Sequence, residues 1–175
     1  MGMEVGDWIT LVAVIVALGI GVASILNTQR LQKQERKERL LNEIIEWAIE
    51  TTQSKMKGFF KDSYNNIKEY PFDNKYFIAQ LHELRISYSN LLSKTAYICN
   101  VTKSSDEEMR KNSENAIANI IMITKILNDM TEIDEQRIGK EIHEYFEVLQ
   151  EYEDKLNNSA NEVMDRASKL KAKET

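Results

Sequence analysis

The sequence is poor in the residues that interrupt helices or build covalent sites. It contains one proline, Pro71, and six glycines, none of which lies between Gly58 and Gly139. Because proline and glycine are the residues that most often end helices, this scarcity predicts long helices. The single cysteine, Cys99, has no second cysteine to pair with, which excludes an intrachain disulfide and a CxxC metal or redox site.

The sequence also has fewer positively than negatively charged residues. Lys and Arg total 23 against 28 Asp and Glu, which gives a net charge of −5 at pH 7. This balance argues against nucleic acid as a partner on bulk charge, so any charged partner has to be recognised by a local cluster.

Signatures of catalysis are missing from the sequence as well. It contains no GxxxxGK[ST] phosphate loop, no GxSxG elbow and no HExxH pair. His82 and His143 each follow a predicted core position by one residue. We therefore expect both side chains to lie on solvated flanks of their helices and not to coordinate a metal. The carboxylates at 141, 144, 147 and 151 have the spacing of an ordinary solvated helix face. We therefore expect no enzymatic activity, no cofactor and no metal site.

What the sequence does contain is one long apolar run. Residues 8–26 are 19 residues without a charge, with Trp8 at the edge. As a helix this run is about 28 Å long, close to the hydrocarbon thickness of a bilayer. Glu4 and Asp7 precede it, whereas a cleaved signal peptide needs a cationic start. The pattern favours a membrane span over a signal peptide or a buried soluble helix.

The flanking charges predict the orientation of this span. Residues 1–7 carry no Lys or Arg, whereas residues 30–39 carry five. The positive-inside rule then places the N-terminus outside a cell membrane and the C-terminal part in the cytoplasm. These basic residues are also expected to reach anionic lipid headgroups. They are Arg30, Lys33, Arg36, Lys37 and Arg39.

Four regions follow from this reading. We expect a short extracytoplasmic tail at 1–7, a transmembrane helix at 8–28 and a charged helical spacer at 29–39. Residues 40–175 are expected to form a cytoplasmic helical domain. Without a proline or glycine between span and spacer, the same helix should continue from lipid into water.

Small residues recur every fourth position within the span, at Ala13, Ala17 and Gly21. Such a face lets a second helix backbone approach closely, which predicts a homo-oligomer formed through the membrane helix. Small residues are common in membrane helices, so a chance pattern is the alternative.

After the spacer, apolar residues recur at helical spacing to the end of the chain. The first stripe ends before Pro71, and caps are expected at Asp73, Ser105 and Asp134. The first two stripes are Leu41, Ile45, Ile49, Thr52, Met56, Phe59 and then Phe77, Leu81, Leu84, Tyr88, Leu91, Thr95, Ile98, Thr102. The next two are Met109, Ala116, Ile120, Ile123, Leu127, Met130 and then Ile138, Ile142, Tyr145, Leu149, Tyr152, Leu156, Ser159, Val163. Further apolar residues are expected to widen the first stripe (Ile44, Ala48, Phe60) and the third (Ile117, Ile121, Ile126).

Four long amphipathic helices with short connections predict an all-α fold. The simplest arrangement is an antiparallel up-down-up-down four-helix bundle built from long helical hairpins. That topology returns the basic C-terminal residues toward the lipid surface, where they could contact headgroups. The alternative is that they complement the negative end of the last helix dipole. These residues are Arg166, Lys169, Lys171 and Lys173.

The expected function is a non-enzymatic membrane anchor whose bundle meets an unidentified cytoplasmic protein or copies of itself. A second hypothesis is a signal-input bundle that binds a small ligand near Tyr88, Tyr145 and Tyr152, because buried hydroxyls need partners.

The layout of one span and a charged segment also resembles that of single-span phage holins. Holins typically have a much smaller soluble part, so this resemblance transfers no function.

Overall fold

The described part of the chain is helical throughout. The computed structural model describes residues 5–53, 74–103, 106–132 and 135–173, together with Met56 and Phe59, and no strand occurs among them. The long helices are α1 (Val5–Thr52), α2 (Asn74–Thr102), α3 (Glu107–Thr131) and α4 (Glu135–Ala172). The prediction of an all-α fold is confirmed.

Helix α1 is a single helix of 48 residues. Its glycines, Gly6, Gly19 and Gly21, all lie in its N-terminal half, and no proline or glycine follows within the helix, so no helix-breaking residue interrupts its continuation from the apolar run into the spacer. The expectation that the apolar run and the charged spacer share one helix is confirmed. The chain nevertheless divides into two compact units, Met1–Leu41 and Asn42–Thr175. The four regions predicted from the sequence remain predictions.

The apolar run of α1 is exposed wherever its side chains are described. Along residues 14–26 every side chain is exposed, and the large ones range from 50% for Val14 to 66% for Ile20. Among the described helices, α1 is long and apolar enough to cross a membrane, with a mean hydropathy of 1.5 in its most apolar 18-residue window, none of which is buried. The side chains of residues 5–13 lie outside the described part, and Trp8 is among them.

The second unit contains a packed core. All eight predicted stripe residues of α2 are buried, as are all six of α3, so both stripes are confirmed. Steps of three and four residues keep these side chains on one face of each helix. Of the residues expected to widen the stripes, Ile44, Ala48 and Ile126 are buried, whereas Ile117 is half-buried, Ile121 is 50% exposed and Phe60 lies outside the described residues. In α4 the stripe residues Ile142, Leu149, Leu156, Ser159 and Val163 are buried. Tyr145 and Tyr152 are only half-buried, and Ile138 lies outside the described side chains.

The predicted stripe of the first helix is partly wrong. Ile49 is 45% exposed, and Ile45 and Thr52 are half-buried, whereas Trp47 and Thr51 are buried. The indole N–H of Trp47 donates a 3.0 Å hydrogen bond to the Thr95 hydroxyl of α2. Burying an indole removes more apolar surface from water than burying an isoleucine side chain does, so the helix turns its Trp47 face to the core.

Hydrogen bonds and ion pairs set the register within the second unit. Glu43 meets Tyr97, Trp47 meets Thr95 and Glu50 meets Lys94. Residue numbers rise along α1 as they fall along α2, so the two helices run in opposite directions. Further contacts join α2 to α3 through Arg85 and Asn128, α3 to α4 through Asp106 and Arg166, and α4 to α1 through Lys171 and Asn42.

The start of α3 differs from the sequence expectation. Its N-cap is Asp106 rather than Ser105, and the Asp106 carboxylate accepts from the backbone N–H groups of Glu108 and Met109. A carboxylate satisfies the free N–H groups and also interacts favourably with the positive end of the helix dipole. The predicted caps Asp73 and Asp134 lie outside the described residues.

Candidate functional site

The apolar helix of the first unit carries the predicted packing face. Ala17 and Gly21 are exposed, and a Cβ added at Gly21 would meet no atom within 4 Å. The side chain of Ala13 lies outside the described part. The face is therefore open to a neighbour at the two positions described, and self-association through it remains a prediction.

The basic residues of the spacer are exposed along α1, at Arg30, Lys33, Arg36, Lys37 and Arg39. Only one large apolar side chain stands among them, Leu31, which is also exposed. A helix that is polar on all sides has no apolar stripe to pack against a core. The spacer is thus suited to contact with water and charged surfaces, as expected for a segment next to lipid headgroups.

The basic residues near the end of α4 are engaged in contacts within the second unit. Arg166 Nε donates to Asp106 Oδ2 at 2.8 Å, and its Nη1 lies 3.6 Å from Glu108 Oε2. Lys169 pairs with Asp165, and Lys171 Nζ donates to Asn42 Oδ1 at 2.7 Å. Lys173 is exposed. A role for these four residues at a lipid surface remains a prediction, and Arg166 has a structural contact in addition.

The Arg166 contact changes the acidity of the cap of α3. Burial raises the pKa of the Asp106 carboxyl, but the hydrogen bond from Arg166 and those from the backbone of Met109 and Glu108 outweigh it. The net effect lowers the pKa of Asp106 below its ordinary value. The same carboxylate therefore caps α3 and holds α4 beside it.

The three tyrosines predicted to line a pocket differ in their surroundings. Tyr88 is 2% exposed, and its hydroxyl donates to Glu153 Oε1 at 3.4 Å. Burial and the neighbouring Glu153 carboxylate raise the pKa of Tyr88 strongly. Tyr145 is half-buried, and so is Tyr152, whose ring lies 4.9 Å from the Lys155 ammonium. Only Tyr88 is a core residue, and its hydroxyl is occupied by a side chain of α4.

Glu153 is a residue that the sequence analysis missed. It is only 6% exposed, and its Oε1 also accepts a 3.4 Å hydrogen bond from the Met56 backbone N–H. A signal for it was available, because Glu153 lies four residues after Leu149 and three before Leu156. Buried Ala160 and Val163 continue this spacing, which marks Glu153 as a core position. The predicted stripe of this helix runs from Leu149 through Tyr152 to Leu156 and therefore leaves Glu153 out.

A second feature that the sequence did not reveal is a groove between α1 and α2, with about 270 Å³ of open volume. We call it the acidic groove. Trp47 and Ile98 line it as apolar residues, and Tyr97 adds a ring that is 52% exposed. Its remaining described lining residues are Glu43, Glu46, Glu50 and Lys94.

Contacts inside the acidic groove order its charged groups. The Tyr97 hydroxyl donates to Glu43 Oε2 at 3.2 Å, and this hydrogen bond, with the charge of Glu43, raises the pKa of Tyr97. Lys94 Nζ lies 2.5 Å from Glu50 Oε2. With three carboxylates and one ammonium, the described lining carries a formal charge of −2. The groove can therefore accept a cationic side chain beside an apolar one.

Residues able to perform acid–base or metal chemistry are dispersed. His82 and His143 are exposed, and His143 lies 3.6 Å from Glu147. Burial, with the charge of Glu114, raises the pKa of the half-buried Cys99 thiol, which disfavours its reactive thiolate form. Among the described residues there is no group of three His, Cys, Asp or Glu able to hold a metal ion.

No protein-family model, curated protein or solved structure matches this chain. The functional interpretation therefore depends on the physical features above: an exposed apolar helix, a charged spacer and a helical unit with an acidic groove.

Proposed function

We propose that the protein is a single-pass membrane anchor whose helical unit binds protein partners, without catalytic activity of its own. One observation carries the proposal: an uncharged stretch of α1 exposes all its described side chains, and it leads directly into a compact helical unit. Water is a poor solvent for that stretch, since each large apolar side chain gains on the order of 1 kcal/mol or more when removed from it.

The length of α1 supports a span. The uncharged residues 8–26 rise about 28 Å as a helix, against a hydrocarbon thickness of about 30 Å. All backbone N–H and C=O groups of a helix are paired internally, which a span requires. Because Lys and Arg follow the span and do not precede it, the proposed orientation places the second unit in the cytoplasm.

We further propose that the second unit is an up-down-up-down four-helix bundle. The opposed register of α1 and α2 supports this arrangement, as do the short connections at 103–106 and 132–134. The contact between Lys171 and Asn42 brings the end of α4 beside the part of α1 that follows the spacer. Lys169 and Lys173 are exposed near this end of α4, and we propose that they contact lipid headgroups.

Membrane attachment is tested by flotation of the full-length chain on a sucrose gradient with lipid vesicles, after a carbonate wash. The proposal expects the wild type to float with the lipid. The double variant Ala17→Lys, Leu18→Lys places two charges near the middle of the span, where each costs about 2.5–3.5 kcal/mol, and should shift protein to the soluble fraction. The matched control Gln29→Lys adds charge outside the span and should float. A wild type that stays soluble would refute the anchor.

Orientation needs a separate measurement. Protease added to sealed right-side-out vesicles should leave the second unit intact, and protease added to inside-out vesicles should digest it. Digestion from the outer face would show that the proposed sidedness is reversed. The membrane anchor would survive that result, because flotation tests it independently.

A further inference from the structure

We propose that the acidic groove between α1 and α2 is the docking surface for a basic amphipathic helix of a partner protein. This inference rests on the proposed function, because it names the kind of partner that the cytoplasmic unit binds. It depends on three observations: the apolar lining, the excess of carboxylates, and exposed apolar side chains that continue the surface along α2.

The lining suits a helix with one apolar face. The Trp47 indole is held in place by its hydrogen bond to Thr95 and is only 3% exposed, so it forms a fixed floor of the groove. Ile98 is also only 3% exposed, so the half-exposed Tyr97 ring, oriented by Glu43, supplies the apolar surface that a partner can reach. Rigid aromatic side chains lose little conformational entropy on binding, which makes them effective anchors at interfaces.

The apolar surface continues beyond the groove. Ile86 is 60% exposed on α2 and lies 11 residues before Tyr97. Eleven residues are close to three full turns, so both side chains stand on one stripe, about 16 Å apart. Asn90 and Ser93 lie between them on that stripe and are exposed and short. Among the described residues of that stripe nothing longer stands between the two apolar side chains, so a partner helix of about three to four turns can contact both.

The charge of the lining determines the partner's sign. Among the described lining residues, three carboxylates and one cation, Lys94, lie in the groove, and the Glu50–Lys94 pair shows that it accommodates an ammonium group. An acidic helix would place like charges together, which is unfavourable at an interface. A helix with Lys or Arg beside its apolar stripe would pair with the carboxylates.

The experiment uses the full-length chain in nanodiscs of zwitterionic lipid. The probe is a fluorescent helical peptide of about four turns that carries a Leu stripe flanked by Lys, and binding is read as fluorescence anisotropy. Empty nanodiscs correct for binding to lipid, and the same peptide with Glu in place of Lys tests the sign of the charge. We expect the Lys peptide to bind and the Glu peptide not to bind.

Variants then locate the site. The triple variant Glu43→Gln, Glu46→Gln, Glu50→Gln keeps the side-chain size and one acceptor oxygen per residue but removes the charge, and it should weaken binding of the Lys peptide about tenfold. A matched triple variant on α4 changes the net charge equally and should stay within about twofold of the wild type: Glu144→Gln, Glu147→Gln, Glu151→Gln. The variant Ile86→Ser should weaken binding, whereas the control Val148→Ser, also at an exposed apolar residue, should not.

Several outcomes would overturn the proposal. Equal weakening by the two triple variants would show attraction to net charge alone, and equal binding of the two peptides would remove the role of the carboxylates. If the peptide does not bind and the groove variants instead dissociate an oligomer of the chain, the occupant is a second copy. Flotation of the same samples separates these results from a failure of the membrane anchor.

Discussion

The hydrogen bond between Trp47 and Thr95 predicts a measurable coupling between α1 and α2. Trp47 is 3% exposed, and Thr95 is fully buried. The indole N–H donates to Thr95 Oγ1 at 3.0 Å, and that hydroxyl donates in turn to the Leu91 carbonyl at 2.7 Å. Replacing Thr95 with valine keeps the side-chain shape but leaves the indole N–H of Trp47 buried without an acceptor.

The magnitude follows from this environment. Leaving a buried donor without a partner costs about 1–3 kcal/mol, so Thr95→Val should lower the free energy of unfolding by that amount. Trp47→Phe removes the donor and some ring volume, and should cost about 1–3 kcal/mol as well. In the double variant the orphaned donor no longer exists. Its cost should therefore fall short of the sum of the single costs by about 1 kcal/mol.

Urea unfolding of the full-length chain in nanodiscs, followed by far-UV circular dichroism, measures these values. The matched control is Thr124→Val, because the half-buried Thr124 hydroxyl donates only to the Ile120 carbonyl of its own helix. This control should cost less than Thr95→Val. Strictly additive costs for the Trp47 and Thr95 variants would refute the coupling, and so would equal costs for the two threonine variants.

Three further predictions concern individual residues of the second unit. Ile44 is buried and Ile49 is exposed. Ile44→Ala should therefore lower the free energy of unfolding by about 2–5 kcal/mol, and Ile49→Ala by less than about 0.5 kcal/mol. If urea unfolding gave the reverse order, it would contradict the observed buried face of α1. Asp106→Ala removes the cap of α3 and should cost about 0.5–2 kcal/mol at pH 7. Because the folded state lowers the pKa of Asp106 from 3.8, its charge stabilises the fold above that value. The stability difference between wild type and Asp106→Asn should thus shrink as the pH falls below about 4, and a constant difference would exclude this linkage. Glu153 accepts two buried hydrogen bonds, whereas Glu147 is exposed. Glu153→Ala should therefore lower the unfolding temperature more than Glu147→Ala does. Equal shifts would show that the buried carboxylate contributes nothing to stability.

The periodicity of the sequence determined most of the helical core. The stripe of α2 alternates steps of four and three residues, that of α3 does so after a first step of seven, and the residues of both stripes are buried. This success has a simple cause. In each of these helices one face holds most of the apolar side chains, so one rotation about the helix axis removes the largest number of them from water.

The sequence predicted the buried face less well where a helix could be rotated about its axis in two ways. In the first helix, Ile45 and Ile49 compete with Trp47 for the core, and the hydrogen bond to Thr95 on another helix favours Trp47. In α4, Leu149 and Leu156 fit stripes that pass through either Tyr152 or Glu153. A carboxylate is buried only where donors from other parts of the chain meet it, and no local pattern contains that information.

The sequence by itself thus determined the all-α class, the continuous helix α1 and the apolar stretch long enough to span a membrane, because each follows from local composition and spacing. Tertiary structure alone decided the pairing of Asp106 with Arg166, the burial of Glu153 and the acidic groove. Each of these depends on side chains from separate helices, such as Glu43 and Tyr97, whose meeting is set by how the helices pack rather than by the residues beside them in the chain.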